Sequence, residues 1–232
     1  MDEKAIGAAI AEAATPFGVA VSEPAAEDLR YSRLYAELGG DAPDDPYPLA
    51  LEYVYEGYLL HYRTSRVMVA APLERRLLAG DHFDALGLHE VARRDDLDSV
   101  ELLTRLMAVG SWLRSEDAPL EWDDDLWTLT VAAIASLRGG GNAVAALNVF
   151  DELERLIGRD RAARLPDVVR RGAATLSLRD PRPLRAALGL EAADGESETE
   201  AADGEEESDQ PGGGAPPRGE TETVEAVGEE AS

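Results

Sequence analysis

The sequence predicts an all-α protein: a single bundle of about seven or eight helices over residues 1–190, then a disordered acidic C-terminal tail, 191–232. Three observations carry that expectation. Apolar residues recur with the 3.6-residue period of a helix, and no alternating β-branched run sits between hairpin turns. Glycine and proline punctuate the chain at intervals that suit helices joined by loops of two to eight residues, which favours antiparallel neighbours. From Glu191 onward there is no aromatic residue and almost no large aliphatic one, while 15 acidic residues face a single base, Arg218. Such a segment buries too little apolar area to offset its chain entropy.

Taken in order, residues 3–14 and 25–38 read as short helices, the second stopped by Gly39–Gly40. Residues 41–48, DAPDDPYP, form a proline-rich loop. A long tyrosine-rich helix follows over 49–71, carrying Tyr53, Tyr55, Tyr58 and Tyr62. Pro72 opens the next, which runs to Arg94. Asp98–Ser99–Val100–Glu101 is close to a capping box, and Leu102, Leu106, Val109 and Leu113 then stack on one face. The run Leu126–Leu137 is apolar nearly all round, so it belongs to a central, buried helix. Ala146, Phe150, Leu153 and Ile157 form another stripe, entered from Gly139–Gly140–Gly141–Asn142 and ended at Gly158. Pro166 stands near the start of a helix ending around Leu178, and a short piece, 183–188, precedes the tail. No fixed-period repeat appears, which disfavours a solenoid.

Composition narrows the function classes. The 232 residues hold 47 acidic and 22 basic side chains, a formal charge of −25, with no cysteine and one lysine, Lys4. Without cysteine, zinc fingers, iron–sulfur centres, thiol catalysis and disulfide scaffolds are all excluded. The field of so acidic a chain repels phosphate, so no nucleic-acid partner is expected. The longest apolar run is about twelve residues, short of a membrane span, and the N-terminus lacks a signal peptide's basic start. A cytoplasmic protein with no transmembrane segment is the expectation. The charge is uneven: the tail carries −14, and the first 190 residues only −11. The tail reads as a solubilising bristle, with a tether or an electrostatic shield as the alternative.

Few residues suggest chemistry. Asp95–Asp96–Leu97–Asp98, Asp123–Asp124–Asp125 and Asp44–Asp45 suit helix starts better than paired metal clamps. His61, His82 and His89 form no metal-binding or zincin pattern, and the Gly139–Gly141 turn lacks the Lys-Ser/Thr of a phosphate loop. No cofactor, metal or catalytic residue is therefore expected. The most informative segment is Leu77–Leu78–Ala79–Gly80–Asp81–His82–Phe83. Asp81 shares a stripe with Leu77, Ala85 and Leu88, which predicts a half-buried carboxylate in need of an arginine, and Arg63 and Arg66 are the candidates. Gly80, costly inside a helix by about 1 kcal/mol, predicts close approach of a neighbouring helix. Asp81, Arg63, Arg66, Gly80 and His82 thus form the candidate polar cluster, structural or pocket-lining.

The stretch from Glu74 to Arg114 resembles a segment of the trans-prenyl diphosphate synthase superfamily, in which a "(V/L)LxGDYxxxxxxxLLAxxGD" helix precedes a helix with an acidic cap. Leu78, Gly80, Asp81, His82 (Tyr in the family) and Asp96 occupy the matching positions. The likeness is strongest to the small, non-catalytic component of heptaprenyl diphosphate synthases, and covers about 40 of the 232 residues. Catalytic members carry two aspartate-rich motifs. None precedes Gly80 here, and Asp123–Asp124–Asp125 follows Asp81 too closely to be the second. The resemblance therefore implies an isoprenoid-synthase-like protein that is catalytically silent, an accessory subunit of a polyprenyl diphosphate synthase. Its partner would be a catalytic prenyltransferase subunit or a second copy of itself. The alternative is a stand-alone helical interaction module. A third idea, a magnesium-dependent enzyme, requires Asp81, Asp84, Asp96 and Asp124 to converge in one cavity.

Overall fold

Local caps and prolines set most helix starts, and one helix, Arg30–Glu37, starts instead on a side chain from another helix; these devices explain where the chain departs from the expected boundaries. The computed structural model describes residues 1–40, 44–157 and 161–190, and the expected tail, 191–232, lies outside them. Among the described residues there are nine α-helices and no strand longer than one isolated bridge, Val21 with Met68. No described helix is long and apolar enough to cross a membrane.

Helix α1, Glu3–Ala14, begins where the Asp2 carboxylate accepts the Ala5 N–H at 2.8 Å, and it buries Ile6, Ile10 and Ala14 at four-residue spacing. The expected helix 25–38 is split: a single 3₁₀ turn, Ala26–Asp28, precedes α2, Arg30–Glu37. The break falls at Leu29, which no side chain of its own segment caps. Instead Glu52 reaches across from α3 and accepts the N–H groups of Tyr31 and Ser32, at 3.0 and 2.8 Å. These are two of the four unsatisfied donors of a helix N-terminus.

Helix α3, Tyr47–Tyr62, starts on Asp45, whose carboxylate accepts the Tyr47 N–H at 3.1 Å and the Tyr35 hydroxyl at 2.9 Å. It stops nine residues short of the expected end at 71. Arg63 is extended, and Ser65 turns the chain by accepting the N–H groups of Val67 and Met68. Residues 67–69 then pair with 20–22. Helix α4, Leu73–Ala92, follows Pro72 as expected. Asp96 caps α5, Leu97–Ser115, accepting the Ser99 N–H at 3.0 Å.

Helix α6, Leu120–Arg138, is the buried centre expected of the Leu126–Leu137 run, with Leu126, Leu129, Val131, Ala132 and Ile134 fully enclosed. It begins six residues before that run, so Asp123–Asp125 lie within its first turns rather than ahead of it. Helices α7 (Ala143–Glu154), α8 (Leu165–Thr175) and α9 (Arg182–Ala187) pack around it. A smaller apolar cluster joins α1, α3 and α4 through Ile6, Ile10, Leu60, Val67 and Phe83. Helix α3 belongs to both clusters, through Val54 and Leu51 on one side and Leu60 on the other.

The most extensive helix pairing among the described residues is α3 against α4, and glycine permits its close approach. A Cβ on Gly57 would stand 2.2 Å from the Asp84 carboxylate, and one on Gly80 would stand 2.5 Å from His61 Nε2. A larger side chain at Gly80 would displace the His61 ring, and one at Gly57 would displace the Asp84 carboxylate and press on the Gly80 carbonyl of the partner helix. The consequence is that His61 and Asp84 are pressed into the seam between the two helices.

Candidate functional site

A helix turns about 100° per residue, so Leu73, Leu77, Asp81, Asp84 and Leu88 share one arc of α4 about 80° wide. Most core contacts of α4 lie on a different arc, through Ala79, Phe83 and Gly87, while the buried Val91 anchors the C-terminal end of the first arc. The stripe expected to bury Asp81 therefore exists, but it faces a cleft and solvent. Asp81 is 76% exposed, and its neighbour is His61, whose Nε2 lies 3.4 Å from Asp81 Oδ1 and 3.7 Å from Asp84 Oδ2. His82 points elsewhere, its ring edge-on to Phe17 with centroids 5.5 Å apart.

The cleft holds about 240 Å³ between α3, α4 and α5. Asp81, Asp84 and His61 line one wall, the Tyr62 and Ser111 hydroxyls meet at 2.9 Å across the rim, and Trp127 and Leu106 line the buried side. Burial raises the Asp84 carboxyl from 3.8 to about 7, and the Asp81 charge pushes the same way. A second groove, larger and apolar, lies along α8 and α9 around Leu176, Leu178 and Leu184. It lacks the clustered ionisable groups of the first.

The two candidate arginines serve other carboxylates. Arg66 is almost enclosed and reaches Glu52 Oε2 at 2.5 Å and Glu56 Oε2 at 2.9 Å, both glutamates being fully buried. Its Nη1 also donates to the Asp28 carbonyl, so one side chain ties α3 to the 63–71 loop and to the start of α2. Arg63 donates to the Tyr58 hydroxyl at 3.0 Å and lies 3.4 Å from Asp123 Oδ2. Asp123 is buried among Tyr58, Arg63 and Arg114, with Arg114 Nε 2.9 Å away. Burial raises its carboxyl, and the Tyr58 hydrogen bond and two guanidinium groups oppose that rise. Both clusters lock helices together, and neither opens to a cavity of its own.

Of the five candidates, only Asp81 lines the cleft; Gly80 lies in the α3–α4 seam against the His61 ring, Arg63 and Arg66 are structural, and His82 sits on another face. His61 and Asp84, weighed in the sequence only as metal ligands, are the cleft residues missing from the candidate cluster. Their signal was Gly57 and Gly80, the two small residues that let α3 and α4 meet. The four aspartates that a magnesium enzyme would bring together do not converge. Asp81 and Asp84 line the cleft, Asp96 caps α5, and Asp124 sits 3.5 Å from Arg30. Among the described residues no group of three His, Asp or Glu side chains is placed to hold a metal ion.

No known protein family, curated protein or solved structure matches this chain.

Proposed function

We propose that this chain is a non-catalytic helical interaction protein, and that its partner surface is the outer edge of α4. The observation that carries the reading is a concentration of exposed apolar side chains. Tyr62, Val69, Leu73, Leu77 and Leu78 are five of the ten large apolar residues left exposed among the described residues, and all fall between 62 and 78. Scattered exposed leucines are ordinary, but a local concentration marks a surface that another molecule covers. Leu73 and Leu77, at 62% and 42% exposure, continue outward along the arc that carries Asp81 and Asp84. They form an apolar lip beside the cleft.

The partner that the sequence resemblance points to is a catalytic polyprenyl diphosphate synthase subunit. Two features support that choice: the Gly80–Asp81 segment lies at the lip, and α4 is followed by a helix capped by Asp96, in the order of the resembling segment. The chain would then act as an accessory subunit, contributing helices to a shared interface. The test mixes the purified chain with a purified trans-polyprenyl diphosphate synthase from the same organism and measures complex mass and product chain length. A stable complex with altered product length is expected. Self-association without a complex would favour the stand-alone interaction module, and a monomer indifferent to the synthase would overturn the proposal.

A further inference from the structure

We propose that the cleft between α3, α4 and α5 binds a small organic cation, an ammonium group carried on a short apolar body. The first argument is charge. Glu52 and Glu56 share the guanidinium of Arg66, and Asp123 lies against those of Arg63 and Arg114, so each of these carboxylates has an arginine partner. At the cleft, Asp81 and Asp84 share one imidazole, His61. No arginine or lysine lines the cavity, and once Asp84 ionises, above about pH 7, even a protonated His61 leaves one carboxylate charge over. A partly buried anion in a low-dielectric wall attracts a cation more strongly than an exposed one does.

The second argument is space, and it comes from a different helix. Gly110 is buried in the middle of α5, yet a Cβ built on it would meet no atom within 4 Å. At Gly57 and Gly80 the glycine is demanded by a neighbour, but nothing demands it at Gly110 except the cavity it leaves. Glycine is the costliest non-proline residue inside a helix. Alanine would fit and would stabilise α5, but it would take up room that the cleft keeps open.

The walls complete the chemistry. Leu106, Met107 and Trp127 offer an apolar and aromatic bed next to Gly110, and an indole face is the best aromatic partner for a cation. A volume of about 240 Å³ admits a butyl- or phenyl-sized body. The net charge of −25 raises the local concentration of any cation and disfavours an anion of the same shape. Cation binding does not depend on the partner reading, because it is a property of the isolated chain.

The experiment titrates benzylammonium into the purified, ¹⁵N-labelled full chain and follows the Gly110 and Ser111 amides and the Trp127 indole N–H. Benzyl alcohol and benzoate serve as the neutral and anionic counterparts. The expected result is one saturable curve at all three probes, with benzyl alcohol at least about tenfold weaker and benzoate silent. At pH 8, where Asp84 is ionised, Asp84→Asn should weaken benzylammonium about tenfold. Gly110→Leu should do the same by filling the cavity, with the rest of the spectrum preserved. Equal affinity for the alcohol overturns the cation assignment. No saturation by about 10 mM, or shifts that survive Gly110→Leu, overturns the site itself.

Discussion

Replacing Asp84 by asparagine tests whether the cleft wall is an electrostatically strained place. The carboxyl is held at about 7 in the folded chain, against 3.8 ordinarily, chiefly because it is buried against α3 and secondarily because Asp81 repels it. The groups that face it are Asp81 on its own helix, His61, Tyr58 and Tyr62 on α3, and neutral side chains from α5 and α6. Because the folded state holds the proton more tightly than the unfolded chain, folding loses stability as pH rises from about 4 to about 7. Below that window both states are protonated and there is no effect; above it the whole cost is present. A displacement of that size corresponds to a ceiling of about 4 kcal/mol. The side chain keeps 26% exposure, where solvent screens the charge, so about 1–2 kcal/mol is expected. The substituted amide carries no charge at any pH. Thermal melts should therefore converge near pH 4 and separate by pH 8, with Asp84→Asn melting higher by about 3–6 °C. A variant that melts lower than the parent at pH 8, or a difference that ignores pH, would refute the assignment of a strained carboxyl.

Other substitutions read the remaining structure. Gly110→Ala should raise stability by about 1 kcal/mol, measured by urea unfolding, because the helix gains alanine's propensity and the new Cβ meets open space. Gly57→Ala should do the opposite and destabilise, since its Cβ would stand 3.0 Å from the Gly80 carbonyl as well as against Asp84. Arg66→Met should cost about 3–5 kcal/mol by leaving Glu52 and Glu56 buried without a counter-charge. Arg66→Lys should recover only part of that loss, because one ammonium cannot span both carboxylates and the Asp28 carbonyl. Equal stability of the Met and Lys variants would count against the bridging role.

Much of the helical order was legible because it rests on local signals. The Leu126–Leu137 run announced a helix buried on all sides, and Pro72 and Asn142 sit at the starts of α4 and α7. The aspartate clusters were legible only in part. Asp96 and Asp45 cap helices, but Asp123 lies in the first turns of α6 and is drawn inward by Tyr58, Arg63 and Arg114. The end of α3 was not legible. Nothing in 63–71 breaks a helix as strongly as proline does; Ser65 turns the chain and Arg66, bonding back to Glu52 and Glu56, holds the turn, contacts that periodicity does not encode. The same limit applied to Asp81. Its stripe along α4 was read correctly as a row of residues, but a row does not state which side of a helix meets the core. The glycines of α3 and α4 decide that, by setting how closely and at what rotation the two helices meet.

The most direct test of partner binding at α4 is the dissociation constant between this chain and a purified trans-polyprenyl diphosphate synthase from the same organism, measured by sedimentation. The parent should be compared with the double variant Leu73→Ser/Leu77→Ser and with Val144→Ser, an equally exposed apolar residue on α7. Binding at the lip predicts a complex tighter than about 10 µM that the double variant weakens at least tenfold while Val144→Ser leaves it unchanged. No complex at that concentration, or equal loss from both substitutions, contradicts it.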